Sequence, residues 1–110
     1  MNENLAEELK LKLVKYRENE IIISKHAKER AIFRGIDLEE VKQNIINPIR
    51  LICAIKQEAF KANEEKFDCY FDYGKNKCQR YILIVNSECI VCTIIKINRR
   101  WQRIVERGLK

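Results

Sequence analysis

Apolar residues recur at helical spacing in the first part of the sequence. Four of them lie three or four residues apart among charged residues: Leu5, Leu9, Leu13 and Tyr16. This spacing predicts an amphipathic helix over residues 3–16, because positions three and four apart share one face of a helix. The helix carries no candidate chemistry. Its expected role is to cover the core or to form a contact in a homodimer.

A second helix is predicted over residues 25–34, between a serine and a glycine. Ser24 is a favourable N-cap residue, and Gly35 suits the left-handed conformation that often ends a helix. One arc of this helix combines apolar and cationic side chains, which is unusual for plain core packing. The arc contains Ala27, Phe33, His26, Arg30 and Arg34.

A third helix is predicted to follow Asp37. Glu40 lies three residues after this N-cap, in the arrangement of a capping box. Apolar residues then continue at helical spacing as far as Ile46. Pro48 ends the helix, because the residue before a proline is disfavoured in the helical conformation.

After Pro48 the pattern changes to β-branched and aromatic residues, which favour strands. Four strands are predicted, at residues 49–56, 67–73, 78–86 and 89–97. Short turns join the last three into an antiparallel meander, whereas the polar residues 57–66 form either a loop or a short helical segment. Residues 98–110 are predicted to form a basic amphipathic helix anchored by Trp101.

These elements predict a single α+β domain over residues 1–110. Two to three N-terminal helices pack on a four-stranded, mainly antiparallel meander sheet, followed by a C-terminal helix. The N-terminal helix lies within residues 1–20, the helix–helix–meander core within 21–97, and the basic helix within 98–110. A length of 110 residues suffices for one hydrophobic core but not for two.

The two faces of the predicted sheet depend on the hairpin pairings, Tyr73 with Cys78 and Asn86 with Cys89. Because side chains alternate along a strand, this register places Arg80 and Thr93 on the helix-facing side as diagonal neighbours. A buried arginine needs a partner, since an unpaired buried charge costs several kcal/mol. A polar cluster containing His26 and Arg30 is therefore expected at the helix–sheet edge.

Composition and charge narrow the classes of function. The formal net charge is +6 and the pI is about 9.1, which favours an anionic partner, nucleic acid first. The alternative is that the charge serves solubility alone. No signal peptide and no apolar run of ~18 residues is recognised, so a cytoplasmic protein without a membrane partner is expected.

Five cysteines lie within apolar segments and are predicted to be reduced thiols. Cys89 and Cys92 form a C-x-x-C pair, which elsewhere indicates a metal or redox site. In a continuous strand, residues three apart point to opposite faces, so this pair is not expected to hold one ion. Neither a metal nor a cofactor is predicted.

The run SKHAKERAIFRGIDLEEVKQNIINP, followed by RYILIV and CTIIKI, resembles the domain-of-unknown-function 4258 family over residues 24–97. That family is similar to the barnase–EndoU–colicin–RelE group of small ribonuclease folds, which includes BrnT-like toxins of toxin–antitoxin systems. The resemblance implies a RelE-like endoribonuclease, with RNA as substrate and a protein antitoxin as partner. By position it points to His26, Arg80 and Thr93 as site residues, with Arg30 matching a further family arginine.

Metal-independent RNA cleavage, a hydrolase-type activity, uses attack by the 2′-hydroxyl on the neighbouring phosphorus. His26 suits the role of base or acid, because histidine ordinarily titrates near pH ~6.5. Arg80 and Arg30 would stabilise the charged oxygens, and Thr93 would orient a phosphate or water. Only one histidine is present, so the second proton carrier must be Lys, Tyr, Glu or Asp.

Further residues are predicted to bind nucleic acid through charge and stacking: Arg34, Lys96, Arg99, Arg100, Arg103 and Tyr81. Each candidate also has a structural interpretation: His26 as a hydrogen-bonded residue of the first helical turn, Arg80 as a partner of Asp72 or Glu29, and Thr93 as an ordinary strand residue. Two alternatives to the nuclease stay open. One is a non-catalytic nucleic-acid-binding module, and the other is a structural or interaction domain.

Overall fold

Three helices cover one face of a five-stranded mixed sheet in the computed structural model, which describes residues 5–59 and 61–98. The helices are α1 (Ala6–Leu13), α2 (Lys25–Arg34) and α3 (Leu38–Ile46). The α+β class is therefore confirmed. None of the helices in the described ranges is long and apolar enough to cross a membrane.

The sheet contains one strand more than predicted. Its strands are β1 (Ile21–Ile23), β2 (Leu51–Gln57), β3 (Glu65–Asp72), β4 (Cys78–Val85) and β5 (Cys89–Ile97), in the order β1-β5-β4-β3-β2. β1 pairs with β5 in parallel, whereas the other neighbours are antiparallel. Three isoleucines are too few to display a strand period, so the sequence pattern indicates only an approach to the second helix. The C-terminal helix was predicted over residues 98–110, of which 99–110 lie outside the described part of the chain.

Local capping signals define α2 as predicted. The Ser24 hydroxyl accepts a hydrogen bond from the Ala27 amide at 3.1 Å, and Gly35 ends the helix with φ of 68°. Asp37 caps α3 by accepting from the Glu39 amide at 3.0 Å. The predicted capping box is not formed, because the Glu40 carboxylate accepts hydrogen bonds from sheet residues instead.

The register of the β3–β4 hairpin differs from the prediction by one residue. Asp72, rather than Tyr73, pairs with Cys78, and the Tyr73 amide bonds to the Lys77 carbonyl within the turn. A shift of one residue moves every side chain of a strand to the other face. Tyr81 therefore faces the helices, and Arg80 faces away from them.

A bulge in β5 changes the faces a second time. Ile82 pairs with Thr93 but Leu83 pairs with Val91, which leaves Cys92 as the extra residue of the bulge. Val91 and Ile94 consequently both join the main core, although a regular strand would place them on opposite faces. Thr93 lies on the face away from the helices, with Ile82.

The main core lies between the helices and the sheet. Its fully buried members come from every helix and from strands β2 to β5, including Leu9, Ala31, Ile45, Leu51, Phe71, Leu83 and Val91. A smaller apolar cluster lies on the opposite face and contains Cys53, Tyr70, Cys78 and Ile97. The sheet thus separates the main core, which lies under the helices, from the smaller apolar cluster on its other face.

Leu83→Ala is expected to lower the free energy of unfolding by about 2–5 kcal/mol, because it removes a wholly buried side chain and leaves a cavity. Urea denaturation followed by circular dichroism measures this change. The matched control is Leu11→Ala, whose side chain is 68% exposed and whose loss should cost less than about 0.5 kcal/mol. Equal losses in the two variants would contradict the assignment of Leu83 to the core.

Candidate functional site

Helix α2 presents a cationic surface to solvent. Ala27 and Ala31 are buried, and these small side chains bring the helix close to the sheet at β5. The other side of the helix is exposed, and we call it the α2 basic face: Lys25, His26, Lys28, Arg30 and Phe33. The whole helix contains four cations, Lys25, Lys28, Arg30 and Arg34, and the single carboxylate of Glu29. Its formal charge is therefore +3.

Helix α2 also exposes two large apolar side chains. Phe33 is 84% exposed and Ile32 is 76% exposed, next to Arg30 and Arg34 in the sequence. Arg34 is half-buried at the end of the helix, where its guanidinium donates to the Ile94 carbonyl at 3.5 Å. Ala27 is the only residue of the predicted helical arc that belongs to the core, so the arc does not form a single face of α2.

Arg80 is committed to an ion pair on the opposite face of the sheet. Its Nε and Nη2 atoms donate to the two carboxylate oxygens of Asp68 at 2.7 and 2.6 Å. The guanidinium also lies 5.3 Å from the centre of the Tyr70 ring. The hydrogen bonds that Arg80 donates to Asp68 raise the pKa of Arg80. The structural interpretation of Arg80 as a paired residue is therefore correct, although its partner is neither Asp72 nor Glu29.

The predicted catalytic group is not brought together. Arg80 and Thr93 do share one face as expected, but that face lies across the sheet from α2. His26 and Arg30 are exposed on the other side, one helical turn apart. The expected polar cluster of all four residues is wrong, because the hairpin register and the β5 bulge were not predictable from alternation alone.

The predicted nucleic-acid-binding residues also have different positions. Tyr81 is fully buried and cannot stack on a base, which corrects its assignment. Lys96 is exposed on β5, and Arg34 lies at the end of α2. Three further predicted residues, Arg99, Arg100 and Arg103, lie outside the described residues.

A ring of hydrogen bonds that sequence analysis missed joins α3 to the sheet. Asn44 donates to the hydroxyls of Tyr73 at 2.7 Å and Tyr81 at 2.8 Å. Tyr73 donates to Glu40 Oε2 at 2.5 Å. Tyr81 donates to Gln79 Oε1 at 2.5 Å, and Gln79 Nε2 in turn donates to Glu40 Oε2 at 3.2 Å. Both branches of donors thus converge on one oxygen of Glu40.

This arrangement, which we call the Glu40 network, holds the carboxylate in a fixed orientation. Hydrogen-bonded chains in a low-dielectric interior polarise one another, so each bond strengthens the next. Burial raises the pKa of Tyr81 and of Tyr73, and the hydrogen bond to Glu40 adds to the effect at Tyr73. Both phenols therefore stay protonated at neutral pH and act as donors. No hydrogen bond to Glu40 Oε1 is formed among the described residues.

An open cavity of about 190 Å³ adjoins the Glu40 network. We call it the Glu40 cavity. Its lining combines apolar, aromatic and charged residues: Gly35, Ile36, Glu40, Tyr73, Lys77, Cys78, Gln79 and Lys96. Gly35 directly follows Arg34, so the cavity begins where α2 ends. Lys77 and Lys96 are exposed. Lys77 directly precedes β4, and Lys96 lies near the end of β5, opposite Gln79.

One signal in the sequence does point to the Glu40 network. Asn44 lies three residues after Val41 and six after Leu38, within the apolar stripe of the third helix. A buried amide at such a position requires hydrogen-bonding partners. The identity of those partners could not be predicted, because Gln79 and Tyr81 face α3 only in the observed register.

The cysteines are small buried side chains in this fold. Burial raises the pKa of Cys78 and of Cys89 to about 12 in each case, which keeps their thiols protonated at neutral pH. Cys92 is half-buried in the bulge of β5. Among the residues that the structure describes, no group of three or more His, Cys, Asp or Glu side chains could hold a metal ion.

Arg80→Ala is expected to destabilise the protein by about 3–5 kcal/mol, because it leaves the buried carboxylate of Asp68 unpaired. Asp68 is only 6% exposed, whereas the side chain of Arg80 is 28% exposed. Arg30→Ala removes the same charge from an exposed position and should cost less than about 0.5 kcal/mol. Thermal denaturation compares the two variants, and equal melting temperatures would refute a structural role for Arg80.

No protein-family model matches the chain, and neither the curated proteins nor the solved structures gave a match. What the site can do is therefore inferred from the charges, contacts and exposure of its own residues.

Proposed function

We propose that this protein binds single-stranded RNA through the α2 basic face. The observation that carries the proposal is the charge of α2, formally +3 over ten residues. Lys25, Lys28 and Arg30 form no ion pair within the described part of the chain. Such cations attract phosphates and release the counterions that surround a nucleic acid.

The exposed aromatic residue of α2 favours single strands over duplexes. Phe33 projects from the same face as Arg30, and aromatic rings next to cations stack on unpaired bases. Bases in a duplex are already stacked and offer no such surface. The resemblance to small ribonuclease folds points to RNA rather than DNA. Phosphate contacts from the cations and stacking on Phe33 would together supply affinity without demanding one sequence.

Replacing Lys25 and Arg30 together by alanine should weaken RNA binding about tenfold and reduce its salt dependence. Each lost contact to a single strand lowers the slope of log affinity against log salt by about 0.7, so two contacts give about 1.4. Fluorescence anisotropy with a labelled uridine decamer at several salt concentrations measures both quantities.

The matched control replaces Lys15 and Lys61 by alanine. These lysines are exposed and lie outside α2, and the change in net charge is the same. The control should keep the affinity and the salt slope of the unmodified protein. If both double variants lose affinity equally, binding depends on net charge rather than on α2.

We infer a second candidate function, metal-independent RNA cleavage of the toxin type. The observation that favours it is the exposure of His26, the single histidine, one turn from Arg30. An accessible imidazole can take the 2′-hydroxyl proton while a neighbouring guanidinium stabilises the charged oxygens. This version relies on His26 and Arg30 alone, since Arg80 and Thr93 lie across the sheet. A protein antitoxin would then cover α2, with Ile32 and Phe33 as apolar contacts.

His26→Ala should abolish cleavage of mixed RNA in the presence of EDTA while leaving RNA affinity within about twofold, because the cations that supply most of the affinity stay in place. Gel electrophoresis detects the fragments, and analysis of their ends should find 2′,3′-cyclic phosphates. Lys15→Ala, which changes an exposed residue outside α2, serves as the control. If RNA stays intact with the unmodified protein, the binding function stands and the nuclease candidate fails.

A further inference from the structure

We propose that the Glu40 cavity binds one unpaired guanine nucleotide of the RNA strand held by α2. This inference rests on the proposed RNA-binding function and names the base that the protein prefers. It uses residues that lie outside the α2 basic face.

Within the described residues, one oxygen of Glu40 is free to accept a hydrogen bond from a ligand. Oε2 already accepts from Tyr73 and Gln79, so the network turns the carboxylate and leaves Oε1 for a ligand. A carboxylate only accepts hydrogen bonds, and the incoming group must therefore donate. Because the donors of the protein are fixed on the other oxygen, the acceptor is oriented before any ligand arrives.

The four bases differ in the hydrogen-bond donors that they can present to Glu40. Guanine presents two adjacent donors, its ring N1–H and its 2-amino group, on one edge. Uracil presents one N–H between two carbonyl acceptors, which a carboxylate would repel. Adenine and cytosine each place an acceptor beside their amino group. Unpaired bases are commonly recognised through these Watson–Crick edges, and guanine fits a carboxylate best.

The open cavity has a volume of about 190 Å³, which is room for one planar base. Ile36 supplies an apolar surface, and Tyr73 supplies its ring as well as its hydroxyl. The ring of Tyr73 is itself held by Arg50, whose guanidinium carbon lies 4.2 Å from the ring centre.

Two lysines place positive charge at the rim of the Glu40 cavity. The cavity is lined by Lys77, in the turn before β4, and by Lys96, near the end of β5, and both are exposed. A base that enters with its donors toward Glu40 leaves its sugar and phosphate outside, where two ammonium groups can bind them. The cavity therefore combines an acceptor for the base with cations for the phosphate.

The Glu40 cavity begins at the end of α2, next to the α2 basic face. The chain passes from Arg34, the final residue of α2, to Gly35 at the cavity wall. An RNA strand that contacts Arg30 and Arg34 can therefore continue to Lys96 without leaving the cationic surface. One nucleotide of that strand would turn into the cavity while its neighbours stay on the helix.

The test compares three labelled decamers by fluorescence anisotropy: all uridine, uridine with one central guanosine, and uridine with one central inosine. Inosine keeps N1–H and lacks the 2-amino donor. The guanosine decamer should bind about tenfold tighter than the uridine decamer, in the range typical of specific base contacts. The inosine decamer should fall between them. Equal affinity for all three decamers would overturn the proposal.

Glu40→Gln tests the acceptor without removing the Glu40 network. Tyr73 and Gln79 both need an acceptor, so the new amide should direct its oxygen toward them and its NH₂ group into the cavity. A donor then faces the donors of guanine, and the guanosine preference should disappear while binding of the uridine decamer changes less than twofold. Glu39→Gln, an exposed carboxylate one residue away, is the control and should keep the preference.

A second pair of variants tests the rim in case Glu40→Gln fails to fold. Lys77→Ala with Lys96→Ala should weaken binding of the guanosine decamer more than that of the uridine decamer. Lys75→Ala, an exposed lysine of the same turn outside the cavity lining, should leave the ratio unchanged. An unchanged ratio in the Lys77 and Lys96 variant would contradict the phosphate contacts.

A separate titration with free guanosine and uridine monophosphates distinguishes failure of this inference from failure of the proposed function. Amide shifts in NMR spectra report binding at the cavity directly. If no decamer binds but guanosine monophosphate shifts the residues of the cavity, RNA binding by α2 is wrong and the base site stands. If the decamers bind through α2 without a base preference, the guanine site is wrong and RNA binding stands.

Discussion

The pairing of Asp72 with Cys78 decides which side chains of β4 meet the helices. Strand side chains alternate with a period of two, so this one contact assigns every residue of the strand to a face. It directs Tyr81 toward α3, where the hydroxyl completes the Glu40 network, and it directs Arg80 to the far side, beside Asp68. The core and both polar clusters of the sheet depend on the same hairpin.

The two clusters differ in how their charges are balanced. Asp68 is buried, and Arg80 neutralises it through two short hydrogen bonds. Glu40 receives only neutral donors, from Tyr73 and Gln79, and both bond to Oε2, so Oε1 accepts no hydrogen bond among the described residues. A satisfied ion pair stabilises a fold, whereas an oriented and incompletely used carboxylate can select a ligand by its donors.

The cations of α2 are distributed in a third way. Three of them, Lys25, Lys28 and Arg30, are exposed on a helix whose buried side consists of alanines, and they form no ion pair in the described structure. Exposed charges of this kind add little to stability, but they attract an oppositely charged polymer over a distance set by the salt concentration. The arrangement joins a rigid scaffold to a surface whose charge is available for binding.

Local signals in the sequence determined the helical part of the fold. Ser24 and Gly35 bound α2 because their effects on the backbone act within one turn, and Asp37 and Pro48 act in the same way around α3. The meander was predictable from β-branched residues and short turns. Tertiary structure alone decided the register, the β5 bulge and the pairing of β1, because these depend on contacts between distant residues. It also drew Glu40 from its expected local cap into the network with Tyr73, since burial against the sheet supplied donors that the isolated helix does not have.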